Sequence, residues 1–189
     1  MVVAMSNCIY HIDDYKPLAE DKFFFDANIW LSIYGPIGYY ADWRVRKYSN
    51  FLTILQLKNC YIYTNTIIIS EFVNRFARME FEQRRIQLDL EYDEFKRFRE
   101  MEDFKEVASE IAANIRKIIR SSNLCNHEIS DDELFDLADI YEKGGFDIND
   151  LMFEEICKQT DSILVTHDGD FKNSEIKVVT ANNNMLRDN

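Results

Sequence analysis

The chain has 189 residues, 47% hydrophobic and 30% charged, which fits one globular domain with a substantial core. Five glycines and two prolines argue against a loop-rich or disordered chain, and no run of about 18 apolar residues is present to span a membrane. A net charge of −12 counts against nucleic-acid binding, unless bound cations or a local basic patch supply the phosphate contacts.

The N-terminal stretch lacks a basic segment followed by a long apolar run, so it does not read as a signal peptide. Cys8, Cys60, Cys125 and Cys157 are scattered and read as reduced thiols of a cytoplasmic protein. His11, His127 and His167 show no zinc-ligand spacing.

Phe23-Phe24-Phe25 predicts a buried strand that ends in Asp26. Residues 43–57 predict a helix, with Val45, Tyr48, Phe51, Leu52 and Leu55 at spacings of three and four. Tyr61-Ile62-Tyr63 reads as a second strand. A helix follows over 67–79, with Phe72, Phe76 and Met79 on one face and Glu71 in its first turns.

Residues 80–120 are dense in charge and predict two long helices. Phe104, Val107, Ala108, Ile111, Ile115, Ile118 and Ile119 form their apolar stripe, which can pack on the main domain or across a homodimer. The section 80–126 reads as a helical insertion in one domain of residues 1–189, and 123–130 as a loop. Ser130 and Glu133 form a capping box, Leu134, Leu137 and Ile140 follow on one face, and Gly144-Gly145 stops that helix. Asp147 is the expected N-cap of a helix reaching Gln159. Residues 163–166 and 177–180 read as strands, and the polar tail 181–189 as frayed. Apolar strands separated by helices predict a three-layer α/β/α fold around a mostly parallel sheet.

Four acids fall where such a fold gathers ligands, at the carboxyl ends of strands and the adjoining helix starts. Asp26 and Asp168 follow strands, whereas Glu71 and Asp150 open helices. Clustered carboxylates repel, and magnesium or manganese is the natural counter-charge for an all-oxygen set. Three of them also have a plainer role available: Asp150 can complement a helix dipole, Glu71 can be an exposed helical acid, and Asp168 can serve the turn at Gly169, whereas Asp26, at the end of a buried strand, needs a partner.

The segments FFFDANIWL, IIISEFVNRF, DINDLMFEEI and ILVTHDGDF resemble the acidic motifs of the PIN-domain family, in the family's chain order. That resemblance implies a metal-dependent ribonuclease with Asp26, Glu71, Asp150 and Asp168 as catalytic metal ligands, Asp170 being the alternative fourth acid. It also implies supporting roles for Asn28 and Thr166, which would hydrogen-bond the ligands, and a Mg2+ or Mn2+ cofactor. The Glu71-to-Asp150 interval is longer than in the compact toxin-type members. An idle PIN-like module that binds RNA or protein, and a toxin with an antitoxin partner, stand as alternatives. A haloacid-dehalogenase-type phosphotransferase would need an acid where Asn28 stands. Arg44, Arg46 and Lys47, flanked by Trp43 and Tyr48, form the best basic patch, with the solvated face of a helix as its plainer reading. His167 could bind phosphate or act as a base, or be a plain surface residue.

Overall fold

Phe23, Phe24 and Phe25 are wholly inaccessible to solvent, so the strand they form is covered on both faces. Each such ring contributes about 1.5–3 kcal/mol relative to exposure. A computed structural model describes residues 8–126, 129–145 and 147–187; His127 and the end of the tail, residues 188–189, lie outside them. The strands are β1 (Ile9–His11), β2 (Lys22–Phe25), β3 (Tyr61–Thr64), β4 (Asn123–Leu124), β5 (Ile163–Val165) and β6 (Val178–Thr180). They make one sheet, entirely parallel, in the order β1-β6-β5-β2-β3-β4.

Among the described residues seven helices flank this sheet, which makes a three-layer α/β/α fold. They are α1 (Ala27–Tyr34), α2 (Asp42–Leu57), α3 (Thr66–Arg84), α4 (Phe95–Glu100), α5 (Asp103–Ser121), α6 (Asp131–Glu142) and α7 (Ile148–Thr160). None is long and apolar enough to cross a membrane.

Strand order locates the site. From β2 the chain steps outward to β3 and β4, then returns to β5 on the other side of β2 and continues to β6. The two series of crossovers diverge between β2 and β5, where Phe25 pairs with Val165. In parallel sheets a crevice opens at the carboxyl ends of strands where the order reverses.

Several elements differ from the sequence expectation. α1 carries no apolar–polar period because Ala27 through Ser32 are all buried, so no stripe marks it. β1 and β4 are too short to show alternation, and β4 lies in the stretch expected to be a loop. Instead of two long helices, the charged section holds the end of α3, a short α4 and a long α5. Val107, Ile111 and Ile118 are buried as expected, while Ala108 and Ile119 are exposed. Of the α6 face, only Leu137 is buried, and Leu134 remains exposed. The tail expected to fray packs instead, through Met185, which is 1% exposed, and Asn182, whose Nδ2 donates to the His167 carbonyl at 2.9 Å.

The insertion is tied down at three places. Phe98 is buried against Phe81 and Phe104, with ring centroids 5.6 and 5.3 Å away. Arg84 of α3 bridges Glu80 and Glu106, at 2.6 and 3.3 Å. Asn114 Nδ2 of α5 donates to the Tyr34 carbonyl at the end of α1 at 2.9 Å. Limited proteolysis of the native protein should therefore spare residues 95–121. Rapid cleavage within α5 would show that these contacts do not hold it.

Candidate active site

Asp26 stands where β2 becomes α1. Its main-chain N–H donates to the Val165 carbonyl at 3.1 Å, which fixes it against the end of β5. Its carboxylate caps α1 by accepting from Asn28 N at 3.2 Å. Thr166 Oγ1 donates to Asp26 Oδ2 at 2.6 Å, and Asn28 Nδ2 donates to the same oxygen. Asn28 Nδ2 also reaches Thr166 Oγ1 at 3.0 Å, and Asn28 Oδ1 accepts from His167 N at 3.1 Å. The three side chains are 5% exposed or less and form one closed network.

A buried carboxylate is costly without a cation. No lysine or arginine forms an ion pair with Asp26, Asp150 or Asp168 among the described residues. Burial pushes the Asp26 carboxyl up to about 6, against the Thr166 hydrogen bond, and Glu71 and Asp168 push it further. Asp150, in the first turn of α7, is raised to about 7 by burial and then by Asp26, Asp147, Asp168 and Asp170. All six acids singled out in the sequence therefore lie in one electrostatic neighbourhood.

Their local duties differ. Asp147 is exposed and caps α7 through Asn149 N at 2.7 Å, as expected. Asp168 caps a 3-10 turn over Gly169–Asn173 by accepting from Asp170 N at 3.2 Å, and Asp170 itself is exposed. Glu71 is half-buried on α3 and pairs with Arg75 at 3.0 Å. Glu71 and Asn74 line a cleft of about 450 Å³ together with Asn149 of α7.

His167 is half-buried, and its Nδ1 lies 2.8 Å from the hydroxyl of the wholly buried Tyr48. Burial, with Arg44 nearby, lowers its pKa to about 4, so the ring is neutral at physiological pH. Neither a charged phosphate ligand nor a plain surface residue describes it.

The basic patch divides. Arg46 is exposed, and Lys47 pairs with Asp13. Arg44 turns inward instead: Nε donates to Ser32 Oγ at 2.8 Å, Nη2 to the Asn28 carbonyl at 3.3 Å, and the guanidinium lies 4.5 Å from the Tyr40 ring centroid. Sequence reasoning missed Arg75 altogether. Its signal was present as the i,i+4 spacing Glu71-x-x-x-Arg75.

Among the described residues no three His, Cys, Asp or Glu side chains are gathered closely enough to hold a metal ion by themselves. The acids share a field without sharing a coordination sphere. Magnesium asks for little more, because it usually keeps several waters and takes one or two carboxylates together with substrate phosphate. Asp26 and Asp150 offer oxygen donors of that kind, neither in an ion pair with a lysine or arginine among the described residues. The chain matches no protein-family model, no curated protein and no solved structure.

Proposed function

We propose that this chain is a metal-dependent ribonuclease of the PIN type, hydrolysing RNA phosphodiester bonds at the edge where β2 and β5 end. The observation that carries the reading is the pair Asp26 and Asp150, two carboxylates without an ion pair to a lysine or arginine among the described residues, with Asp150 inside the field of Asp26. Proton uptake or a bound cation relieves such a pair near neutral pH, and its place is the one where parallel sheets bind ligands. The chain order of the four acidic motifs supports the same reading.

Asp26 and Asp150 would hold Mg2+ or Mn2+, which when bound polarises a scissile phosphate and lowers the pKa of an attacking water. Thr166 and Asn28 hold the Asp26 carboxylate by hydrogen bonds and would keep it oriented towards the ion. Glu71, which lines the cleft and pairs with Arg75, would accept a proton from the water. Tyr48 and Asn182 lock the His167 segment and with it the start of the Asp168 turn.

Purified protein with manganese should degrade single-stranded RNA, and chelator should stop it. Single substitutions at Asp26, Glu71, Asp150 and Asp168 should each lose most of the activity, with the exposed Asp170 less sensitive. Unimpaired RNA binding in chelator, with no cutting under any metal condition, would establish an idle binding module instead.

A further inference from the structure

An anionic backbone must approach a site whose own charge is negative, and the side of the site near Tyr40 provides for this. Arg44 is half-buried and makes no ion pair with a carboxylate among the described residues. Two of the five guanidinium N–H groups are spent on Ser32 and the Asn28 carbonyl, and the others have no partner among the described residues. The side chain is thus held by two hydrogen bonds and an aromatic face, with part of its fork unused.

Arg75 lies close enough to Arg44 for the two charges to repel, and both act electrostatically on Tyr40. Arg75 uses Nη1 on Glu71, and its side chain is 42% exposed. Both arginines lie within the field of Asp26. Both guanidiniums act on Tyr40, and that of Arg44, 4.5 Å from its ring centroid and without an ion pair among the described residues, has donors to spare for an anion arriving on that side. Arginine suits phosphate because its planar donors meet two oxygens at once.

We propose that Arg44 and Arg75 form a clamp on the phosphodiester backbone of single-stranded RNA, holding a phosphate beside Asp26. This rests on the ribonuclease reading for the identity of the anion. A single strand is favoured by Trp43, the residue before Arg44, which is 47% exposed with its ring centroid 5.9 Å from that of His167. It offers an unstacked base an aromatic face next to the clamp.

The test is binding of a short fluorescein-labelled single-stranded RNA by anisotropy, across NaCl concentrations, with calcium as the only divalent ion. Arg44→Gln should weaken binding about tenfold or more, as expected when a charge-assisted hydrogen bond is removed. The slope of log Kd against log salt should fall by about 0.7 for each phosphate that is no longer neutralised. Arg44→Lys should restore the slope but not the affinity, since it keeps the charge without the fork. Arg75→Gln should weaken binding in the same way. Because Arg75 leaves the α1–α2 packing untouched, it also decides the matter if Arg44→Gln melts early. Wild-type Kd and slope in both glutamine variants, with the wild-type protein still cleaving RNA in manganese, would overturn the clamp alone. Arginine-dependent RNA binding without cleavage under any metal would support the clamp and overturn the ribonuclease reading.

Discussion

Asp26→Asn should end RNA cleavage and leave a protein more stable than the wild type at neutral pH in the absence of metal. Activity should fall by at least about a hundredfold, the scale of losing one group that stabilises developing charge. The stability gain follows from linkage. The Asp26 carboxyl titrates near about 6 when folded, against 3.8 as its ordinary value. Between those values the folded state holds the extra proton, so wild-type stability falls as pH rises through that window. Above it the penalty is complete, about 3 kcal/mol at roughly 1.36 kcal/mol per pKa unit. Asparagine recovers only part of this, because its amide offers one acceptor oxygen to Thr166 and Asn28 where the carboxylate offered two. Each recovered kcal/mol raises Tm by about 2–4 °C for a chain of this size. The difference should be present at about pH 8 and vanish at about pH 4, where wild-type Asp26 is neutral too. Thermal melts in chelator across that range check it. A variant that melts lower than the wild type throughout, or that still cuts RNA at the wild-type rate, would remove Asp26 from the centre of the site.

How much of this was legible in the sequence depended on whether burial left a pattern. Where one face of an element is solvated, as in α2 and α3, the apolar spacing marked it. In α1 the first six residues are all buried and show no solvated face, so nothing distinguished it from a long apolar strand. The aromatic run before Asp26 announced a carboxylate at the end of a buried strand, and it lies there. Arg44 was legible as a charge but not as a direction. A helix of 16 residues presents side chains all round, and only the packing of α1 against α2 decides which charge turns inward to Ser32. Asn182 offered no signal, since an asparagine-rich tail reads as solvated whether or not one of its amides closes on a carbonyl such as that of His167. The length of the insertion was plain, while in its division into a short α4 and a long α5 Phe98 meets Phe104 nearby and Phe81 back on α3, and helical periodicity marks neither contact.

Magnesium or manganese should raise Tm in a way that depends on pH and on two residues. An ion that binds only the folded state stabilises it by mass action, by about 2.7 kcal/mol at a hundredfold excess over its dissociation constant. For a chain of this length that corresponds to about 5–10 °C. Ion binding must displace whatever protons the ligands hold. Asp150 is raised to about 7 and Asp26 to about 6, so both compete with the metal near neutrality. The shift should be full at about pH 8 and shrink as pH falls through the two values, the apparent affinity dropping up to tenfold per pH unit for each ligand that must ionise. A net charge of −12 also invites diffuse cation binding over the surface, which salt screens and which does not follow these two titrations. A variant carrying both Asp26→Asn and Asp150→Asn separates the cases, because it changes the surface charge little and removes the paired carboxylates. It should show no metal-induced shift at moderate salt. If its Tm rises with manganese as far as that of the wild type, the ion sits elsewhere on the acidic surface, and the edge between β2 and β5 is not a metal site.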